Sequence, residues 1–359
     1  MINDMIVADA TAHGYNWLPS NFAVTQAKAI TTASWGLHQI ITAGRPELTL
    51  TEAEFKQDWQ MPDLADTLFF ESNIDLISHH GTPIWDFFKD GHSDTEKGFD
   101  LLVEYPTRAV AYGAMNPWAF ADARQIGDEV DRLVDRGATG LKLYAARYYN
   151  GDTLANRMDD PTYAYPMIER AIERGVKVIA SHKALPIGPV HYEPYGVSDF
   201  PLACARYPEM NFEVVHAGMA FVEETCFLAR TMPNCWFNLE TSFAIQVRQP
   251  RRFAEFLGEL LRSGAGDRIV YASGFSLFHP LLALEAFRDF EMPQDLVEGH
   301  GFPQVTPHMK EKILGLNYLR LHGIDPDEFR AATAGDVVAK RQAEGTETPW
   351  SNMRARAAA

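Results

Sequence analysis

The sequence predicts a (β/α)8 (TIM) barrel, and three observations predict it. Eight short apolar runs are spread along the chain, segments with helical spacing separate most of them, and several runs end on an ionisable residue. A short, β-branched apolar run is the signature of a strand buried on both faces in a parallel sheet. In a barrel of such strands the chemistry sits where the strands end. Such barrels commonly take about 250 residues, so a chain of 359 leaves room for additions. The expected additions are an inserted segment after the first strand, residues 16–64, and a C-terminal helical extension closing in an arm, residues 339–359. The whole chain, 1–359, is expected to form a single barrel domain.

Met5–Asp9 reads as the first strand, from whose end Asp9 and His13 emerge together. The insertion carries Trp17, Trp35, His38 and Trp59 and has no strand signal. It is expected to be partly helical and to serve as a lid, as an assembly surface or as structural packing. Ile74–His80 is the second strand, followed by an aromatic-rich loop, 81–92, expected to wall a pocket or pack on the surface. Arg108–Gly113 and Thr139–Tyr144 are the third and fourth strands, and Ala121–Arg136 between them has helical apolar spacing that stops at Gly137. Strands five, six and seven run to His182, to His216 and through Glu240, each preceded by a helical segment. Arg268–Gly274 is strand eight, with His279 in the loop after it, and Lys310–His322 is a further helix.

Two consecutive strands ending in histidine place two imidazoles at one barrel mouth, a natural start for a metal site. Glu240 closes the next strand and is a competent ligand or proton carrier. Lys142 interrupts an apolar strand, where an unpaired ammonium is costly. It is expected to meet a carboxylate in a salt bridge, to bind substrate, or to be modified to a metal-bridging carbamate. His79, His80, His92 and His191 lie near the expected mouth and read as surface or hydrogen-bonding histidines rather than ligands. Tyr148 and Tyr149 are expected to line a pocket or simply to pack.

A net charge of −16 argues against nucleic acid or an anionic membrane as partner. No glycine-rich phosphate loop follows the first strand, which disfavours a dinucleotide fold. The three cysteines, Cys204, Cys226 and Cys235, form no Cys-x-x-Cys pair. With no apolar run of membrane-spanning length and no basic leader, a cytoplasmic location is expected.

The pattern resembles the amidohydrolase superfamily, in the branch around aminocarboxymuconate-semialdehyde decarboxylase. The residues that carry the resemblance are Asp9 with His13, Gly140-Leu-Lys-Leu, His182, His216 and Ile313-Leu-Gly-Leu-Asn-Tyr-Leu-Arg-Leu-His-Gly323. In that superfamily a divalent metal is held by a His-x-His pair after strand one, by histidines after strands five and six, and by an Asp after strand eight. Two positions depart: Thr11 replaces the first His of the pair, and Gly274 replaces the Asp. These departures, with Phe69–Asp75, Trp85–Gly91, Asn238-Leu-Glu-Thr and Ser273-Gly…His279-Pro, are similar to the 2-aminoisobutyrate hydroxylase group of dinuclear-metal monooxygenases.

That resemblance implies a non-haem iron or iron–manganese monooxygenase hydroxylating a small amino acid or carboxylate with dioxygen. The metals would be dinuclear Fe/Fe or Fe/Mn, or a single zinc, on His13, His182, His216 and Glu240. Asp9 would be a bridging ligand or would orient a histidine, and Lys142 and His279 would place the substrate carboxylate or complete the site. A metal-dependent hydrolase or non-oxidative decarboxylase is the alternative, with Glu240 or Asp9 moving the proton. A further alternative is a non-catalytic companion subunit, and association with a homologous barrel chain or with a second copy is expected in each case.

Overall fold

Eight parallel strands hydrogen-bond to one another in chain order. They are β1 (Ala8–Ala12), β2 (Leu76–His80), β3 (Ala109–Ala114), β4 (Gly140–Tyr144), β5 (Val178–His182), β6 (Asn211–Val215), β7 (Cys235–Asn238) and β8 (Ile269–Val270). The computed structural model describes residues 5–358, so the ends of the expected domain lie outside the described residues. All strand residues are buried except Asn211, which is half-buried, as a sheet covered by helices requires. Helices 95–104 and 123–135 start where the sequence provides a cap: the Asp94 and Asp122 carboxylates accept the Glu96 and Gln125 backbone N–H.

The barrel closes across β8 and β1, where the regular ladder is shortest. Beyond Val270 the chain leaves strand geometry but keeps pairing: Ala10 N–H donates to the Tyr271 carbonyl at 3.0 Å and Gly274 N–H to the Thr11 carbonyl at 3.1 Å. The expected eighth strand is therefore real as a seam and short as a strand. β1 begins later than its apolar run and extends to Ala12, so Asp9 lies within the strand rather than at its end. After β4 the chain makes an antiparallel hairpin, 146–149 with 152–155, which apolar spacing does not announce.

The 16–64 insertion is mostly helical, and its longest element, α1 (Ala27–Thr42), covers the barrel mouth. His38 anchors it with both ring nitrogens: Nδ1 donates to the Leu277 carbonyl at 2.8 Å and Nε2 accepts the Leu50 N–H at 3.0 Å. The helix sends Ile30, Ser34 and Leu37 toward the space above the strands.

The C-terminal arm folds back on its own chain. Arg341 pairs with Asp66 at 2.9 Å, Arg354 with Glu54 at 2.7 Å and Arg356 with Asp63 at 2.6 Å. Trp350 is fully buried between Trp59 and Phe275, and its backbone N–H donates to Glu71 at 2.7 Å. The arm is thus a clasp that ties the insertion to the barrel seam. Trp350→Ala is expected to cost about 3–5 kcal/mol of unfolding free energy, the usual penalty for emptying a core Trp site. Denaturant unfolding measures it, and a change under about 1 kcal/mol would mean that the arm does not hold the lid. No helix among the described residues is long and apolar enough to cross a membrane.

Candidate metal centre

Three histidines and one glutamate meet at the C-terminal ends of the strands. His13 follows β1, His182 ends β5, His216 follows β6, and Glu240 lies two residues past β7. All four are buried, at 1%, 4%, 2% and 2% exposure. His216, Ala217 and Gly218 take left-handed φ values of 67°, 46° and 65° in succession. This tight turn brings the His216 ring back over the barrel. Non-glycine residues in this conformation concentrate at functional sites.

Each imidazole is fixed by a backbone carbonyl. His13 Nδ1 meets the His80 carbonyl at 2.8 Å, His182 Nε2 the Leu185 carbonyl at 2.6 Å, and His216 Nδ1 the Glu240 carbonyl at 3.0 Å. A carbonyl only accepts, so each of these nitrogens carries the ring proton and the opposite nitrogen of a neutral ring is bare. The bare nitrogens converge: His182 Nδ1 lies 3.1 Å from His216 Nε2, His13 Nε2 lies 3.4 Å from Glu240 Oε1, and His216 Nε2 lies 3.9 Å from Oε2. Burial holds His182 and His216 below the ordinary histidine value, which keeps them neutral. Burial pushes the Glu240 carboxyl up, and positive charge at His216, His13 and Lys142 pulls it well below the carboxylate range. Where the rings are neutral, their bare nitrogens and Glu240 present lone pairs to one another, and Glu240 Oε2 has no hydrogen-bond partner.

Neutral imidazole with carboxylate is the donor chemistry of a divalent metal, and a cation would relieve this arrangement. The carbonyl on the far side of each ring is the usual outer support of a ligating histidine. Among the described residues no three such donors already stand at the spacing of a formed coordination shell.

Glu240 also explains the missing carboxylate of strand eight. Gly274 has φ +66°, and a Cβ there would lie 3.2 Å from Glu240 Cγ and 3.3 Å from Oε1. The Glu240 side chain fills the space where a side chain at 274 would stand.

A sequence model of the amidohydrolase family matches residues 101–324. The chain belongs to that family. No curated protein matches it. Among solved structures it resembles an uncharacterised TIM-barrel protein from Bordetella bronchiseptica, with 14% identity over 89% of this chain and 99% of that one, at a TM-score of 0.63. It also resembles a 2,6-dihydroxybenzoate decarboxylase from Rhizobium, with 14% identity, 88% and 99% coverage and a TM-score of 0.55. A third is a 5-carboxyvanillate decarboxylase from Novosphingobium aromaticivorans with manganese bound, with 12% identity, 89% and 97% coverage and a TM-score of 0.54. At these identities the likeness speaks for the fold.

Within this amidohydrolase the other expected site residues have different places. Asp9 does not face the imidazoles: its carboxylate accepts the Thr11 N–H at 3.2 Å and the Ser273 N–H at 2.8 Å, and it also pairs with the Ser273 hydroxyl. These bonds staple β1 to the seam, and none of them reaches an imidazole of the four donors. His279 likewise bonds away from the four donors. Its Nε2 meets Glu71 at 3.2 Å, its Nδ1 accepts the Leu281 N–H at 3.3 Å, and its ring stands edge-on to Trp350 at 4.7 Å. It belongs to the clasp.

Lys142 is buried, and its Nζ has no hydrogen-bond partner. The expected salt bridge is absent, because the amine stands over the Tyr144 ring, 5.9 Å from its centroid, short of either nearby carboxylate. Burial pulls its pKa down to about 8 against the opposing pull of Glu240 and Glu213. His79 and His80 are buried inside β2 and His92 beneath Trp17, while His191 is exposed. Of the four only His191 is a surface histidine; His79 Nε2 meets the Ser93 hydroxyl at 3.1 Å, as the hydrogen-bonding alternative expects, and His92 lines the cavity at the mouth. Tyr148 packs on Phe87 and Tyr149 faces solvent.

The cavity above His182, His216 and Glu240 holds about 100 Å³ and is walled mainly by Tyr15, Trp17, Ile30, Tyr144 and Leu277, with His92 at one side. Two polar residues beneath the site, Glu213 and Asn238, are absent from the expected set. Asn238 Oδ1 accepts the Glu240 N–H at 2.8 Å, and its Nδ2 donates to Glu213 Oε1 at 2.5 Å. An acid interrupting the apolar run Phe212-Glu-Val-Val was the available signal, of the same kind as Lys142.

Burial raises the Asp9 pKa from 3.8 to about 7 despite its bonds to Ser273 and Thr11. Between about pH 4 and 7 the unfolded chain therefore releases a proton that the folded chain keeps, and stability falls as pH rises through that window. Asparagine copies the protonated form, since its oxygen accepts both N–H groups and its amide donates to Ser273. Asp9→Asn is expected to be near neutral at about pH 4 and stabilising by roughly 1–4 kcal/mol at about pH 8, with metal affinity unchanged. Denaturant midpoints at the two pH values and a metal titration check both halves.

Proposed function

We propose that this amidohydrolase is a divalent-metal enzyme that acts on a small acid without an oxidant, as a non-oxidative decarboxylase or, second, a hydrolase. The observation that carries the reading is Glu240 filling the space above Gly274. The hydroxylase resemblance rests on the missing strand-eight Asp together with the gained Glu240. A carboxylate delivered to the space above Gly274 from the end of β7 leaves a proton-handling group beside the metal donors, so the exchange calls for no oxidant. The likeness to decarboxylases supports the same direction.

His13, His182, His216 and Glu240 would hold the metal, which when bound supplies Lewis-acid polarisation of a substrate oxygen. Glu240 lines the cavity and keeps Oε2 without a partner, which makes this oxygen the group placed to take and return a proton at the substrate. Tyr15, Ile30, Tyr144 and Leu277 exclude water from the substrate carboxylate, and desolvation of that group favours loss of CO2. A cavity this small and apolar leaves little room for an attacking water beside a substrate, which favours decarboxylation over hydrolysis.

The test loads the protein singly with manganese(II), zinc(II) or iron(II) and offers a panel of small aromatic and aliphatic acids and esters. CO2 release, ester cleavage and oxygen uptake are followed together. Product without oxygen uptake, abolished by chelation, is expected. Oxygen consumed in proportion to product would replace this reading with the hydroxylase. Metal binding with turnover only after a homologous barrel chain is added would replace it with the companion-subunit role.

A further inference from the structure

Two side chains in the cavity wall carry ring nitrogens that the fold leaves unpaired. Trp17 and His92 are buried, at 1% and 4% exposure, and both line the cavity over the candidate metal centre. Neither Trp17 Nε1 nor His92 Nε2 meets a hydrogen-bond partner among the described residues. An indole N–H can only donate. A buried donor left unpaired is costly, and folded proteins keep few of them.

The packing decides which part of His92 meets the cavity. His13, Tyr15, His92 and Phe88 form one stack, with successive centroids 4.7, 4.2 and 4.0 Å apart and interplanar angles of 24°, 20° and 15°. Two rings stacked this closely cannot share a face, so Tyr15 covers one face of His92 and Phe88 the other. Only the edge of the imidazole, which carries its nitrogens, is left to line the cavity. The Trp17 ring stands edge-on to His92 at 4.2 Å and is backed by Phe55 at 5.2 Å. The backbone is committed to this placement. Gly91 and His92 take left-handed φ values of 81° and 86°, and the Asp90 carboxylate accepts the His92 N–H at 2.8 Å. The His92 carbonyl accepts the Asn16 N–H at 2.7 Å, which ties the loop to the start of the insertion. A non-glycine residue in that conformation is strained, and such strain concentrates at functional sites.

Size and charge narrow what these nitrogens could bind. Tyr15 stands between His92 and the His13 ring, so a group at Trp17 and His92 belongs to the far end of a ligand whose acid group faces the metal donors. Neither ring brings a charge: an indole does not ionise, and burial holds His92 well below the ordinary histidine value. The nearby Lys97 amine is already paired with Asp58 at 2.5 Å. A second carboxylate would therefore lose its hydration with no countercharge in return, whereas an ether, carbonyl or hydroxyl oxygen would lose little. The cavity, at about 100 Å³, is smaller than the roughly 150 Å³ that takes one benzene, which favours a short chain over an aromatic ring.

We propose that Trp17 and His92 form a specificity pocket for a neutral oxygen at the far end of a short aliphatic acid. Trp17 donates to that oxygen, and His92 takes the tautomer that the oxygen calls for. The pocket rests on the small-acid reading of the site and adds to it which acids are selected.

The test compares 3-methoxypropanoate with pentanoate, which match in shape and differ by an ether oxygen in place of a methylene. Calorimetry measures both affinities for the zinc(II)-loaded protein, and their ratio cancels whatever the acid end contributes. A preference for the ether of about tenfold is expected. Trp17→Phe and His92→Phe keep a ring and remove the nitrogens, and each should lose most of that preference. The Trp17 indole N–H resonance, assigned by its loss in Trp17→Phe, should move downfield with the ether and not with pentanoate. Equal affinities, no binding of either acid, or a preference that survives both substitutions overturns the pocket. Benzoate bound more tightly than 3-methoxypropanoate overturns the restriction to short chains. If Trp17→Phe does not fold, the ratios in the unaltered protein and in His92→Phe decide. The proposed function is read separately, from CO2 release and oxygen uptake, so turnover without an ether preference overturns the pocket alone.

Discussion

Glu240→Gln is expected to cut divalent-metal affinity by about two orders of magnitude or more, since even outer supports of metal ligands are worth roughly 10–100-fold. Glutamine keeps the shape of the side chain and removes the charge, and its amide turns a donor toward the bare His13 nitrogen. The effect should be constant from about pH 5 upward, because the carboxylate it replaces is ionised throughout that range. Glu240→Asp keeps the charge on a shorter stem and should lose about tenfold. Equilibrium dialysis with manganese(II) or zinc(II) measures both. Unchanged affinity in Glu240→Gln would mean that any metal this chain binds is held elsewhere.

Restoring the residue usual in the superfamily at strand eight is expected to harm the protein. In Gly274→Asp the new Cβ would press on Glu240 at 3.2 Å, and an L-residue would have to take φ +66°. A left-handed non-glycine residue alone costs about 1–3 kcal/mol, and the displaced Glu240 should carry metal affinity down with it. The revealing variant is the double one. With Glu240→Ala in place the clash is gone, and Gly274→Asp should return at least about tenfold of the metal affinity that Glu240→Ala loses, while the backbone strain persists. If the aspartate returns nothing, the two carboxylates do not serve one position, and the proposed function loses its main support.

How much of this was legible follows the same physics. Strand-end histidines are local features, because a β-branched run that stops at His182 or His216 places the ring at a barrel mouth whatever the rest of the chain does. The exchange of Asp for Gly at 274 and the gain of Glu240 were each visible as letters. That one fills the space of the other was not, because it depends on how two strand ends lean together. The Asp9 carboxylate bonds to Ser273 across the β8–β1 seam, a pairing between residues 264 positions apart that no local pattern announces. Lys142 was expected to find a carboxylate. The carboxylate is there, in Glu213, but held by Asn238 and Tyr112 with Ala180 between. His279 was read from its place in the loop after strand eight, whereas its partners Glu71 and Trp350 come from opposite ends of the sequence.

The C-terminal clasp bears on the order in which the molecule can assemble. Its bonds to the insertion and the barrel join residues 268 to 305 positions apart, among the most distant pairings in the chain. Neighbouring strands meet early because little chain lies between them, but a closure this wide must wait until the barrel has brought both ends together. Trp350 packs on Phe275, the residue after Gly274, and on Trp59 at the foot of the lid. The four donors are therefore expected to be gathered and still open to water before the lid locks. Metal would be captured in that interval, by a half-made molecule rather than through a finished wall.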